Sequence, residues 1–170
     1  MEVLKPQDLV VVLRLSLAAR AARPTFLELA SELGMSASEV HAAVSRAIAS
    51  NLLSSGERAV NRSNLLEFLV HGAKYAFPAA VSGVTRGIPT SYAAPPLSSQ
   101  FSVGELPPVW PHPEGTARGE GFEPLYRSVP DAALKNPQLY ELLALVDAVR
   151  GGRARERALA VKELTKRLGA

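Results

Sequence analysis

Apolar residues return at helical spacing from the start of the chain. Leu9, Val12, Leu13 and Leu17 follow Pro6, which suits a first helical turn, and predict a helix ending near Arg20. Phe26, Leu29, Ala30 and Leu33 give a short second helix its buried face. Val40, Ala43, Val44, Ala47 and Ile48 do the same for a third, closed by Asn51-Leu52-Leu53. Leu65, Leu66, Phe68, Leu69 and Tyr75 predict a fourth that packs on the first three. Towards the other end, Asn136 and Pro137 open a helix striped by Leu139, Leu142, Leu143, Val146 and Val149. Gly151-Gly152 breaks it, and a further helix carries Leu159, Val161, Leu164 and Leu168. These two predict a helical hairpin, although their apolar faces suit a dimer seam or an intramolecular core equally well.

Polar residues set the borders between the early helices. Thr25-Phe-Leu-Glu28 and Ser36-Ala-Ser-Glu39 both have the spacing of a capping box, in which a hydroxyl accepts from an orphan amide and a carboxylate reaches back. Gly34 can adopt the left-handed conformation that ends a helix sharply. Two short helices are thus joined by the turn Gly34-Met35-Ser36 with a supporting helix in front, the sequence form of a helix-turn-helix.

Proline divides the rest. Ten of the 13 prolines lie between Pro78 and Pro130, which separates a helical part (1–77), an irregular middle (78–129) and a helical tail (130–170). The middle holds Phe77 and Tyr75 at its edge and Tyr92, Phe101, Trp110, Phe122 and Tyr126 within, so it reads as an ordered extension anchored by rings rather than a linker. Val109-Trp110 and Gly121-Phe122 suggest a short hairpin turning near Glu114-Gly115. Gly83 to Tyr92, with Arg86, Thr85, Thr90 and Ser91, has the makings of an anion-binding loop, but an Arg86 that buttresses an irregular loop is the preferred reading. The expected fold class is mainly α: a (winged) helix-turn-helix, a Pro-rich irregular segment and a C-terminal helical hairpin.

Composition narrows the chemistry. The absence of cysteine in 170 residues removes disulfides, thiolate zinc and cysteine nucleophiles. His41, His71 and His112 show no metal-ligand spacing, and neither a nucleophile elbow nor a phosphate loop is recognisable, so no enzyme, metal or cofactor is expected. Apolar runs are too short to span a bilayer and the start lacks a signal-peptide pattern, so a soluble, cytoplasmic protein is expected. The formal net charge of +3 permits nucleic-acid binding without requiring it. The surplus sits in the tail, where Arg150, Arg153, Arg155 and Arg157 form the densest basic cluster, suited to phosphates, to an acidic partner or merely to solvent.

Residues 8–55 resemble the DNA-binding core of bacterial winged helix-turn-helix regulators of the MarR-like group, through Leu29-Ala30, Leu33-Gly34, Ser36, Val40 and Leu52. Ser54 to Arg62 is brief for a wing, which leaves that element short or missing. The resemblance implies a sequence-specific, homodimeric repressor of a bacterial operon that binds double-stranded DNA. If Val40, Val44 and Ile48 face inward, Ala37, Ser38, His41, Ser45 and Arg46 lie outward or at the margin. Ser38, His41 and Ser45 would then reach base edges, Arg46 the groove wall or a phosphate, and Ser36 a phosphate through its amide. Arg58 and Arg62 sit where a wing would approach the backbone. The alternative is an antitoxin-like or adaptor protein that grips a partner from the same operon through its C-terminal helices.

Overall fold

The computed structural model describes residues 2–169. Helix α1 (Pro6–Ser16) is followed by α2 (Phe26–Leu33) and α3 (Ala37–Ala49). A tight loop leads into α4 (Arg62–Glu67), which continues through a π-helical turn at Phe68–Gly72 into α5 (Ala73–Ala76). Strand β1 (Val81–Pro89) then opens the middle segment, with β2 (Pro108–Pro111) and β3 (Ala117–Phe122) after two 3₁₀ turns. Helices α6 (Val129–Lys135), α7 (Pro137–Gly151) and α8 (Ala154–Leu168) complete the chain.

Helices hold 56% of the residues and strands 12%, and the strands form a closed three-stranded mixed sheet. The fold is therefore α/β and mostly helical, which corrects the mainly α expectation. β1 pairs antiparallel with β2 (Ile88 opposite Trp110) and with β3 (Arg86 opposite Arg118), so β2 and β3 run parallel, with Val109 opposite Gly121. The expected hairpin near Glu114 is thus absent. Two of its strands exist, but each takes β1 as its antiparallel partner, and the segment read as an irregular loop at Gly83–Tyr92 supplies that strand.

Closing so small a sheet needs main chains to approach without side chains between them. A Cβ on Gly87 would overlap the carbonyl of Trp110, and one on Gly119 would overlap the carbonyl of Pro107. Glycine at these positions lets β1 meet β2 and β3 meet the chain before β2. The sheet's inner residues Ile88, Val109, Trp110 and Phe122 are buried in turn.

Helix α7 is the centre on which the parts converge. Leu139 and the whole run from Leu142 to Arg150 are buried, so its surround is α1, α5, α6 and α8 together with the turn after β1. This differs from the expected hairpin: α7 and α8 do pack together, but α7 is enclosed on all sides and leaves no face for a dimer seam. A single apolar cluster runs from Leu9 through Trp110 to Leu168. Full burial of each such Leu or Val stabilises the fold by about 1.5–3 kcal/mol.

A buried polar group is fixed inside this core. The Asp147 carboxylate on α7 accepts from the Thr90 hydroxyl at 2.7 Å, the Trp110 indole at 2.8 Å and the Arg150 guanidinium at 2.7 Å. Arg150 also donates to the carbonyls of Phe77 and Pro78. Burial pushes the Asp147 carboxyl up from its ordinary range, while the Arg150 charge and the donated hydrogen bonds pull the other way.

Gly119→Ala is expected to destabilise the chain by about 2 kcal/mol or more, because a backbone carbonyl, unlike a side-chain tip, cannot rotate away. A fall in the urea midpoint at unchanged slope would bear this out, and an unchanged midpoint would contradict the close approach.

Candidate nucleic-acid interface

The local chemistry of the helix-turn-helix is formed as its residues dictate. Thr25 and Glu28 exchange hydrogen bonds at the start of α2, with the amide of Glu28 donating to the hydroxyl at 3.1 Å and the amide of Thr25 to the carboxylate at 2.7 Å. Ser36 and Glu39 repeat this at α3, at 3.1 and 2.7 Å. Gly34 between them takes φ 64°, the left-handed turn that lets α3 cross behind α2.

Val40, Ala43, Val44 and Ala47 turn to the core, so Ser36, Ala37, Ser38, His41 and Ser45 share the outward side of α3 and its entry. The His41 ring stacks on Phe26 with centroids 4.4 Å apart. The Arg58 guanidinium lies over the same Phe26 ring at 4.9 Å, so a cation and two rings border this face.

Arg46 does not join them. It is 7% exposed and grips the fully buried Asp8 of α1 through two hydrogen bonds of 2.8 Å. The amide of Lys5 donates to the same carboxylate at 2.8 Å, and the hydrogen bond to Asp8 raises the guanidinium pKa further. The expectation that Arg46 reaches a groove wall or phosphate is therefore corrected. Its side chain ties α1 to α3, since a carboxylate sealed inside the core needs a charged partner.

The wing is reduced to one β-bridge between Leu53 and Val60, framed by hydrogen bonds from Ser54 to Ala59 and from Asn61 to Leu52. Its tip is tied to the loop after α1: Glu57 pairs with Arg20 at 2.6 Å, and Arg23 donates to the Glu57 carbonyl. Arg58 donates to the Pro24 carbonyl at 3.0 Å and Arg62 to the Ser16 carbonyl at 2.8 Å. Both arginines thus hold the wing base to the helices, whereas a free role on a phosphate backbone was expected of them.

The C-terminal cluster also divides. Arg150 is buried against Asp147, and Arg157 donates to the Val149 and Gly152 carbonyls at the end of α7, so neither reaches a partner or phosphate as expected. Arg153 and Arg155 remain exposed, the latter over the Phe101 ring at 5.1 Å. The cluster was legible as charge but not as four side chains with different destinations.

A contact invisible in the sequence reaches the start of α3. Tyr126 donates its hydroxyl to Glu39 at 2.8 Å, and Arg127 donates to the same oxygen at 3.3 Å. Ser128 follows against the Gly34 turn, where an added Cβ would lie 3.2 Å from that of Ser128. Lys135 donates to the Ser31 carbonyl at 3.4 Å. The strap between β3 and α6 therefore holds the helix-turn-helix from outside while leaving Ser38, His41 and Ser45 exposed. Backbone donation from Ser36, then the Tyr126 and Ser36 hydroxyls, hold the Glu39 carboxyl at about 2 instead of 4.5.

Among the described residues no group of acidic and histidine side chains is arranged to hold a metal, and no helix is long and apolar enough to cross a membrane. Comparison of the chain with family models, with curated proteins and with solved structures finds no match in any of the three.

Two outcomes test this geometry. Arg46→Ala leaves the Asp8 charge buried without its partner, and a loss of about 3–5 kcal/mol is expected in urea unfolding. A variant as stable as the parent would put Arg46 back on the surface. Glu39 titrates lower in the folded chain than in the unfolded one, so its stabilisation is complete above about 4.5 and disappears as pH falls towards 2. Glu39→Gln should flatten that part of the stability-against-pH curve, read as the urea midpoint at each pH.

Proposed function

We propose that the chain binds duplex DNA through α3 and regulates transcription by occupying a promoter, as its resemblance to MarR-like regulators implies. One observation supports this above the others. The two capping boxes and the Gly34 turn orient a 13-residue helix whose exposed entry and outer side hold only small or hydrogen-bonding groups: Ser36, Ala37, Ser38, His41 and Ser45. Small side chains let a helix sit deep in a major groove, and hydroxyl and imidazole groups exchange hydrogen bonds with base edges there. The Ser36 amide, expected on a phosphate, instead donates to the Glu39 carboxylate, so the amides of Ala37 and Ser38 are the ones suited to that contact. A homodimer would set two such helices in successive grooves, with its seam elsewhere than on the enclosed α7.

A second reading, a protein-binding module built on the same scaffold, is favoured by the engagement of nearby cations. Arg20 and Arg23 are held by the wing tip, and Arg58 and Arg62 by main-chain carbonyls. Its acidic partner, which could come from the same operon, would meet Arg153 and Arg155.

Fluorescence anisotropy with DNA from the gene's own upstream region and with scrambled DNA, over a salt series, separates the two. The DNA reading requires preference for the upstream sequence by about a thousandfold. It also requires His41→Ala and Ser45→Ala each to reduce that preference by about tenfold with the fold unchanged. Weak, equal binding that vanishes with salt would leave phosphate attraction alone and favour the protein-binding module.

A further inference from the structure

A cleft of about 430 Å³ opens where the closed sheet meets the start of α8, within the size range of small-molecule sites. Its apolar walls are Tyr92, Phe101 and Phe122 with Val81, Leu106 and Pro108. The Tyr92 and Phe101 rings stand 5.9 Å apart. Of the apolar lining, Leu106 and Val81 are 48% and 66% exposed.

The polar groups in the cleft are incompletely used. Ser91 lines the cleft, is 3% exposed and is held at φ 55°, a left-handed conformation that costs a serine energy. Arg153 precedes the first turn of α8 and lines the cleft, and its side chain makes no ion pair among the described residues. Glu156, also in the lining, turns its carboxylate back to the helix start, where it accepts from the Arg153 amide at 2.8 Å. Glu120 on β3 has no ion pair among the described residues and also lines the cleft. Burial raises the Tyr92 phenol, with Glu156 and Glu120 adding to this and Arg153 opposing it, so all three charges stand around that ring.

An unpaired guanidinium, an unpaired carboxylate and apolar rings lining one cleft complement one kind of molecule. We propose that this cleft binds a small apolar zwitterion, a free amino acid or short peptide, with its carboxylate on Arg153. Its ammonium meets Glu120, its side chain packs against the touching Tyr92 and Phe101 rings, and the Ser91 hydroxyl takes a remaining polar atom. This site does not depend on the DNA reading, and its test involves no DNA.

Calorimetric titration of the full chain with L-phenylalanine, L-leucine and L-alanyl-L-phenylalanine, each to about 10 mM, covers the millimolar range of weak ligands. Saturable binding of at least one is expected, and Arg153→Met and Glu120→Gln should each weaken it by about tenfold, as loss of a charge-assisted hydrogen bond does. Tighter binding of the dipeptide would identify a peptide end as the source, and tighter binding of the free amino acids a metabolite. 3-Phenylpropionate and phenethylamine, each lacking one charge, should bind at least tenfold more weakly than L-phenylalanine. No heat from any zwitterion, equal binding of the single-charge analogues, or affinity unchanged in both variants would overturn the proposal. Circular dichroism of the two variants, whose altered side chains are exposed, shows that a loss of binding is not a loss of fold.

Discussion

The Asp147 carboxylate holds together parts that have little else in common. It sits on the most enclosed helix of the chain and receives hydrogen bonds from Thr90 just beyond β1, from Trp110 in β2 and from Arg150 one turn along α7. Arg150 passes the connection on to the carbonyls of Phe77 and Pro78, where the chain leaves α5. Thr90, Trp110, Asp147 and Arg150 are buried and would be costly if unpaired, so they are satisfied only when sheet, helix and connection are in register together. Apolar burial brings these elements into contact, and the carboxylate selects the arrangement in which they meet.

The Asp8–Arg46 pair does the same work within the N-terminal helices. Both carboxylates place a charge inside a core that contains almost nothing else polar, and both join elements far apart in sequence, Asp8 through Arg46 and Asp147 through Thr90 and Trp110. Their net contribution to stability is smaller than the damage done by removing one partner, because the survivor is left without solvent. They specify one packing of otherwise interchangeable Leu, Val and Ala surfaces.

Legibility in the sequence followed the range of the interactions. The capping boxes at Thr25 and Ser36, the Gly34 turn, and the Asn136–Pro137 start of α7 all close over three or four residues, and their residue types reveal them. The inward face of α3 was equally plain from its period. Arg46 was misread because its partner lies 38 residues away on another helix, and at the margin of an apolar stripe a cation has no local sign of which side it takes. Strand β1 was hidden because Gly83, Gly87 and Pro89 spoil any alternation. Gly87, which looked like a loop residue, is there because the main chains touch. The enclosure of α7 was visible only as an unusually wide stripe, and the contact of Tyr126 with Glu39 left no trace in either neighbourhood.

That contact joins residues 87 apart, whereas the capping box on the same Glu39 closes over three. On a ribosome the two are separated in time. The turn, both capping boxes and the Asp8–Arg46 pair are complete once the first third of the chain has emerged, while Tyr126 and Arg127 do not yet exist. A nascent chain therefore displays α3 with its entry unguarded and its orientation set by the Gly34 turn and the Asp8–Arg46 pair. The outer hold on that helix, and the cleft beside α8, come into being together only at the end of synthesis, when β3 and the last helices close on the sheet.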